Sequence, residues 1–290
     1  MTGVSGPTDG ALANLCMCAE DTFARALQGA PGASLEDPAP DPRITAAWQV
    51  RGRLVAADAL FRSGPLVVGD TAVFYGWLLE SRATPGEFVV VVRGTEGIME
   101  WLIDAEFAPR RAHPVAGEVE SGFFGIYETM QFVDAVGGAP APAAEAIARA
   151  VGAHGLTITG HSLGSALATY LAFDVARADT PVRARLVASP RPGDQAFSEA
   201  FGRAVPDHVM FANVADVVPK VPFWFGYSPV PNVTKLSSAG TEFRICSGLA
   251  CQHHALVYEC LINRDTSALQ KLPHEDDKFA ACIRPRSPAN

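Results

Sequence analysis

The stretch LTITGHSLGSALATYLAF, residues 156–173, joins two segments of different character. Its first residues, LTITG, form an apolar run rich in β-branched side chains, as in a short buried strand. Its last residues are rich in alanine and leucine, which favour a helix. Between the two lie Gly160, Ser162 and Gly164, in the pattern Gly-x-Ser-x-Gly. A strand, a sharp turn and a helix in this order would expose the Ser162 hydroxyl at the edge of a sheet, and the alternative is a chance match.

Strand-like and helix-like patterns alternate along most of the chain. Such alternation predicts an α/β fold with a mainly parallel, doubly wound central sheet flanked by helices. The predicted strands are 72–81, 87–95, 156–160, 182–190 and 208–218, and the predicted helices are 11–27, 123–136, 141–155, 162–178 and 254–265.

The predicted domain organisation is a single domain over residues 1–290. Residues 1–45 are predicted to be a helical and loop extension, because the helix-like segment there is followed by a loop rich in proline, glycine and aspartate at 29–43. Residues 265–290 are predicted to be a C-terminal tail. Neither end carries a recognisable motif.

Composition limits the classes of function. The chain has 290 residues, of which 48% are hydrophobic and 19% charged, and this is typical of a globular protein. A net charge of −8 argues against nucleic acid as a partner. No apolar run approaches the roughly 20 residues of a transmembrane helix. The first residues do not resemble a signal peptide, so a cytoplasmic location is the default expectation and secretion the alternative.

The cysteines do not form a metal-binding pattern. There is no Cys-x-x-Cys pair, so no zinc site is expected. In a chain of this length an even number of cysteines permits disulfides without implying them. Buried thiols are favoured over a bridge such as Cys246 to Cys251, and the six residues concerned are Cys16, Cys18, Cys246, Cys251, Cys260 and Cys282.

The serine motif GHSLGSALA, residues 160–168, resembles that of the class 3 (fungal-type) lipases of the α/β-hydrolase superfamily. Other blocks resemble this family in the same order, over residues from about 74 to about 262. They are VVVVRGTEGIMEWLIDAEF (89–107), VESGFFGIYE (119–128), SPRPGDQAF (189–197) and NVADVVPKVP (213–222). The resemblance implies an α/β-hydrolase fold and ester hydrolysis with no metal and no cofactor.

A hydrolytic serine requires a general base and an acid that orients it, and α/β-hydrolases carry them in the chain order Ser, Asp, His. Asp216 lies near the carboxyl end of the strand-like run 208–218 and precedes a proline. By itself this context favours a turn or N-cap aspartate. The resemblance implies that Asp216 is the acid of the triad and Ser162 the nucleophile.

Two adjacent histidines are candidates for the base. The family places its histidine five residues before a tyrosine, and counting back from Tyr258 gives His253. Helical spacing would place His254 with Tyr258 on the buried face of a helix, and His253 in the loop before it. His253 is therefore the predicted base and His254 the alternative. His161, next to the nucleophile, is predicted to be a structural neighbour that points away from Ser162.

Acyl transfer also requires donors directed at the developing oxyanion. The backbone N–H of Leu163, the residue after the nucleophile, is one candidate. The resemblance implies that Thr95, in the Arg-Gly-Thr turn, is the second. A turn threonine beside an ion-paired Arg93 is the alternative interpretation.

The segment after Thr95 concentrates apolar residues near the predicted site. In the family this position carries a lid helix over the serine, and an ordinary helix packed in the core is the alternative. A second apolar run, 221–231, would line an acyl pocket or cover the sheet edge. The predicted substrate and lid residues are Ile98, Met99, Trp101 and Leu102.

These observations predict a serine carboxylic-ester hydrolase, a lipase or esterase that cleaves acylglycerol-type esters through an acyl-enzyme. Its predicted partner is a lipid or another ester substrate, either free or at a lipid–water interface. A phospholipase A1, an aromatic-acid esterase on the same fold, and a non-catalytic lipase-like binding protein are the alternatives.

Overall fold

The computed structural model of the chain describes residues 6–29, 34–60, 67–95, 110–223, 226–271 and 277–286. None of the helices in these ranges is long and apolar enough to cross a membrane. The helices are α1 (Asp9–Leu27), α2 (Pro42–Ala47), α3 (Ser121–Glu128), α4 (Ala143–Val151), α5 (Leu163–Arg177), α6 (Gln195–Ala204), α7 (Leu249–His253), α8 (Ala255–Asn263) and α9 (Asp277–Ala280).

Within the described ranges, the strands form one large sheet and two small antiparallel pairs. The strands are β1 (Trp48–Leu60), β2 (Val67–Ser81), β3 (Phe88–Val92), β4 (Arg110–Ala112), β5 (Glu118–Glu120), β6 (Gln131–Asp134), β7 (Ala141–Pro142), β8 (Leu156–His161), β9 (Val182–Val187), β10 (Asp207–Asn213), β11 (Val233–Leu236), β12 (Phe243–Ile245) and β13 (Ile283–Pro285).

The large sheet has the order β11-β10-β9-β8-β3-β2-β1-β6-β7. The half from β3 to β11 is parallel, as predicted. The half from β3 to β7 is antiparallel, so the sheet is mixed and not mainly parallel. The predicted serine turn follows β8, in the parallel half.

Helices cover both faces of the parallel half. All residues of β3 and β8 are buried, which explains the continuous apolar run in β3. The Thr159 side chain of β8 contacts Cys16 of α1, whereas Gly160 lies against the backbone of α5. Because successive residues of a strand face opposite sides of a sheet, α1 and α5 pack on opposite faces of β8.

Three local predictions are wrong. Residues 131–134, predicted to be helical, form β6, because Phe132 and Val133 pair with the edge of β1. The helix there ends at Glu128. Residues 48–60 carry no predicted element, yet they form β1, and the predicted loop 29–43 runs into helix α2. Pairing with distant strands decides the structure of β1 and β6, whereas α2 begins locally, with Asp41 as its N-cap and Pro42 in its first turn.

The C-terminal region is attached to the rest of the molecule by a disulfide and a strand pair. Cys251 of α7 is bonded to Cys282, and β13 pairs with β12. The expectation that all the cysteines are thiols is therefore wrong, and the bridge suggested from spacing, Cys246 to Cys251, is not the one formed. Cys16, Cys18, Cys246 and Cys260 are free thiols.

Candidate active site

Ser162 lies at the sharp turn between β8 and α5. Its backbone has φ 58° and ψ −130°, a conformation that residues other than glycine rarely adopt. Such strain costs on the order of 1–3 kcal/mol and occurs mainly at functional sites. The turn carries the Ser162 side chain to the carboxyl end of β8, as a nucleophile elbow requires.

The two glycines of the motif allow the close approach on which this turn depends. A Cβ atom on Gly160 would lie 2.4 Å from the carbonyl oxygen of Gly164. A Cβ atom on Gly164 would lie 2.2 Å from the carbonyl oxygen of Arg93, at the end of β3. Only glycine fits at either position without movement of the backbone, so α5 can begin directly against the sheet.

The predicted catalytic side chains of Ser162, His253 and Asp216 form a hydrogen-bonded chain. His253 Nε2 lies 2.8 Å from Ser162 Oγ, and His253 Nδ1 lies 2.8 Å from Asp216 Oδ2. All three residues are buried. A carboxylate can only accept, so Nδ1 carries a proton and the neutral ring presents Nε2 as an acceptor for the serine hydroxyl. This is the arrangement that a general base and its nucleophile need.

Asp216 follows β10 and is surrounded by donors. The backbone N–H of Val218 donates to Oδ1 at 2.9 Å, and the Tyr258 hydroxyl donates to Oδ2 at 2.7 Å. Burial alone would raise the pKa of the Asp216 carboxyl, but His253 and these donors hold it below its usual range. Asp216 therefore remains ionised beside His253.

The two adjacent histidines have different environments. His253 is the last residue of α7, not a loop residue as predicted from helical spacing. His254 is the N-cap of α8, where its Nδ1 accepts from the backbone N–H of Leu256. Its ring stacks on Phe279, with centroids 3.7 Å apart. The prediction that His254 lies on the buried face of the helix is wrong, because the chain breaks from α7 to α8 at this residue.

Polar contacts that the sequence did not reveal connect the end of β10 to α7 and α8. The Asn213 side-chain amide donates to the backbone oxygen and to Oε1 of Gln252, at 2.9 and 2.8 Å. The backbone N–H of Asn213 donates to the Tyr258 hydroxyl at 3.0 Å. Tyr258 thus bridges the end of β10 and Asp216. In the sequence, Tyr258 served only to locate His253 by counting back, and no spacing pattern identifies Tyr258 as a partner of the Asp216 carboxylate.

The two predicted oxyanion donors, the Leu163 backbone N–H and Thr95, belong to segments that meet at the elbow. Leu163 is the first residue of α5, where a backbone N–H has no partner within the helix. Gly94 packs against the elbow, since a Cβ atom there would lie 3.3 Å from Ser162 Cβ, and Thr95 follows it. Arg93, before them, donates to the carbonyl oxygens of Phe74 and Gly94.

The predicted lid residues lie outside the described part of the chain. These are Ile98, Met99, Trp101 and Leu102, in the gap between residues 95 and 110. The apolar run 221–231 is described except at positions 224–225, and its Phe223 is exposed. The choice between lid and core helix stays a prediction.

The strand–elbow–helix unit and the surrounding mixed sheet define an α/β-hydrolase. Solved structures support this fold: a Rhizomucor miehei lipase propeptide complex has a TM-score of 0.55 and 19% identity, with 79% of this chain and 69% of that chain covered. A Yarrowia lipolytica Lip2 lipase has a TM-score of 0.53 and 17% identity, with 79% and 77% covered.

Residues 89–226 match the family Lipase (class 3). This region of the chain, which contains Ser162 and Asp216, is similar to the class 3 lipases. Among curated relatives, it is 30% identical over 211 residues to phospholipase A1-II 7 of Oryza sativa subsp. indica, covering 61% of this chain and 50% of that protein. It is 28% identical over 229 residues to the chloroplastic galactolipase DONGLE of Arabidopsis thaliana, covering 67% and 48%. The chain thus spans about half the length of these relatives.

Proposed function

We propose that this protein is a serine carboxylic-ester hydrolase that cleaves acylglycerol-type esters through an acyl-enzyme. The observation that carries the proposal is the buried hydrogen-bonded chain from Ser162 through His253 to Asp216. The match of residues 89–226 to the family Lipase (class 3) supports the same activity.

In the first half of the reaction, Ser162 Oγ attacks the ester carbonyl while His253 Nε2 takes its proton. Asp216 holds the imidazole in the required tautomer and stabilises the imidazolium that forms. The backbone N–H of Leu163, at the positive end of the α5 dipole, and Thr95 stabilise the oxyanion. Collapse of this intermediate breaks the bond to the alcohol, which leaves with the proton from His253.

In the second half, a water molecule attacks the acyl-enzyme and gives its proton to His253 Nε2. A second tetrahedral intermediate forms, and the same donors stabilise it. The bond to Ser162 Oγ then breaks, the serine recovers its proton, and the carboxylic acid is released. The cycle uses groups of this chain and water alone.

A phospholipase A1 activity is the second candidate, because several relatives are named phospholipase A1. An aromatic-acid esterase and a non-catalytic lipase-like protein are further alternatives. Substrate comparison separates them: triacylglycerol, diacyl phosphatidylcholine labelled at each acyl position, and a hydroxycinnamate ester should be tested side by side. Preferential release of the sn-1 acyl chain would favour the phospholipase.

The activity itself is tested by Ser162→Ala, together with p-nitrophenyl esters of graded chain length, with and without a lipid interface. We expect wild-type turnover and covalent labelling of Ser162 by an organophosphonate. The alanine variant should fold, because the hydroxyl is not needed for packing, and should lose both. Labelling at another residue, or undiminished turnover by the variant, would contradict the proposal.

The Cys251–Cys282 disulfide supports an oxidising compartment for this protein over the cytoplasm. Disulfides persist in secreted proteins and are reduced in most cytosolic ones. Free-thiol quantification on protein isolated from its natural source tests this part of the proposal: four thiols, matching Cys16, Cys18, Cys246 and Cys260, are expected. Six would indicate a reducing compartment.

A further inference from the structure

A glutamate from the N-terminal helix reaches the back of the elbow. Glu20 lies on α1, and its Oε1 is 2.7 Å from Nδ1 of His161. The same oxygen accepts from the backbone N–H of Gly94 at 3.0 Å. One carboxylate oxygen therefore contacts both the residue before the nucleophile and the residue before Thr95.

The other side of His161 contacts the proposed base. His161 Nε2 lies 2.7 Å from the backbone carbonyl oxygen of His253, and the two rings are 4.7 Å apart. The His161 side chain is only 5% exposed, so water does not replace these partners. A carbonyl oxygen can only accept, which means that Nε2 carries a proton.

Both ring nitrogens of His161 therefore face acceptors. An imidazole satisfies a carboxylate and a carbonyl at once when both nitrogens are protonated. Burial alone would raise the pKa of Glu20, but His161 and the Gly94 N–H hold it below its usual range. Burial alone would lower the pKa of His161, but Glu20 and the His253 carbonyl raise it.

The surroundings of this pair contain charges of both signs. Asp216 favours a cationic His161, and His254 favours an anionic Glu20. Cys16 lies near Glu20 on α1, but burial raises the pKa of its thiol so far that it stays neutral. His253 and Tyr258 face His161 with their rings.

We propose that Glu20 and His161 are positioning residues for the hydrolysis proposed above: a carboxylate–imidazolium pair that holds the main chain of His253 and the Gly94 turn in register with Ser162. The pair touches no reacting atom. It acts through His253, whose backbone it anchors, and through Gly94, which precedes the predicted oxyanion donor Thr95.

The packing at Gly94 leaves little room for adjustment. A Cβ atom on Gly94 would lie 2.5 Å from Glu20 Oε1 and 3.0 Å from the carbonyl oxygen of His161. The turn, the elbow and the carboxylate are therefore in direct contact. A small displacement of a catalytic group can cost about 10²-fold in rate, so loss of this anchor should affect turnover more than binding.

Glu20→Gln tests the pair with a side chain of the same shape. Because Glu20 Oε1 accepts from both His161 and the Gly94 N–H, the amide of glutamine cannot reproduce both hydrogen bonds. If its oxygen faces Gly94 and a neutral His161 donates to it, the bond to the His253 carbonyl is lost. If its NH₂ group faces them, the Gly94 bond is lost. We expect kcat to fall by about 10- to 10²-fold, with KM changed by less than about twofold.

Asp9→Asn is the matched control. Asp9 is also on α1 and pairs with Arg183 and Arg185, away from Ser162. This variant weakens the attachment of the same helix without touching the site, so its kcat should stay within about twofold of wild type. Equal losses of kcat in folded Glu20→Gln and Asp9→Asn would overturn the positioning role.

Nitrogen NMR of histidine-labelled wild-type protein gives a readout independent of activity. At about pH 8, above the ordinary histidine range, both nitrogens of His161 should have the shifts of protonated N–H groups. Glu20→Gln assigns the signal and should abolish the pattern. An unprotonated ring nitrogen on His161 in the wild-type protein would refute the ion pair. Absence of ester hydrolysis and of Ser162 labelling in wild type would instead refute the proposed function and leave the NMR result standing.

Discussion

A single buried carboxylate, Asp216, organises the polar groups of the site. One of its oxygens accepts from Val218, and the other contacts both His253 and Tyr258. An ionised carboxylate is stable in the interior only when its lone pairs are satisfied in this way. The resemblance to class 3 lipases and the chain order Ser, Asp, His were enough to predict Asp216, but the partners that keep it charged come from three separate elements.

The two histidines can be separated by alanine substitution. His253→Ala should lower kcat by several orders of magnitude with a stable fold, because the side chain bridges Ser162 and Asp216. His254→Ala should retain turnover but lose about 1 kcal/mol of unfolding free energy, because it removes the N-cap of α8. Urea unfolding and p-nitrophenyl ester kinetics measure both quantities.

The reverse result, an inactive His254→Ala and an active His253→Ala, would show that the triad assignment is one residue out of register. The sequence could not decide this point on helical spacing. That spacing assumed one helix starting at His254, whereas the chain forms two short helices that meet there. The family spacing to Tyr258 gave the residue that the structure places beside Ser162.

At the scale of elements, β8, the elbow and α5 form a unit. Its close packing is possible because Gly160 and Gly164 have no side chains. The carbonyl oxygens of Arg93 and Gly164 occupy the space that Cβ atoms would need. The sequence predicts this unit well, because a buried strand, a Gly-x-Ser-x-Gly turn and a small-residue helix are all local signals.

Gly164→Ala should therefore destabilise the protein by about 1–3 kcal/mol and abolish ester hydrolysis, since α5 must move away from β3. Gly155→Ala is the control: no atom lies within 4 Å of a Cβ there, and we expect a change within about 0.5 kcal/mol. Thermal unfolding and kinetics of both variants check this. Similar melting temperatures for the two would contradict the close-packing argument.

Elements that depend on distant pairing were not predicted. β1 carries Arg51 and Arg53 between its apolar residues, and it becomes a strand by pairing with β2 and β6. Residues 131–134 follow a helix without a strong breaker, and only their pairing with β1 makes them a strand. Local propensity is a weak signal for such segments, because sheet pairing overrides it.

At the scale of the whole molecule, the site assembles from segments far apart in the chain. Ser162 follows β8, Asp216 follows β10, and His253 ends α7, beyond the region that matches the family. The Cys251–Cys282 disulfide lies two residues from His253 and joins α7 to the segment before β13. This connectivity was not predictable, because cysteine spacing does not encode pairing.

Replacing both bridged cysteines by serine should lower the unfolding free energy by about 2–4 kcal/mol, as expected for a closed loop of this length. We also expect kcat to fall, because α7 carries His253. Cys246→Ser is the control, since this partly buried thiol is not bridged. A double variant as stable and active as Cys246→Ser would exclude a structural role for the disulfide.

The backbone angles of Ser162 create a conflict between thermal stability and turnover at this one position. Glycine adopts φ 58° with far less strain, so Ser162→Gly would release on the order of 1–3 kcal/mol while deleting the nucleophile. A library selected for thermal survival alone would enrich inactive clones at this position. Directed evolution of a more robust enzyme therefore has to select for product formation in every round, because the serine is retained only while its chemistry is rewarded.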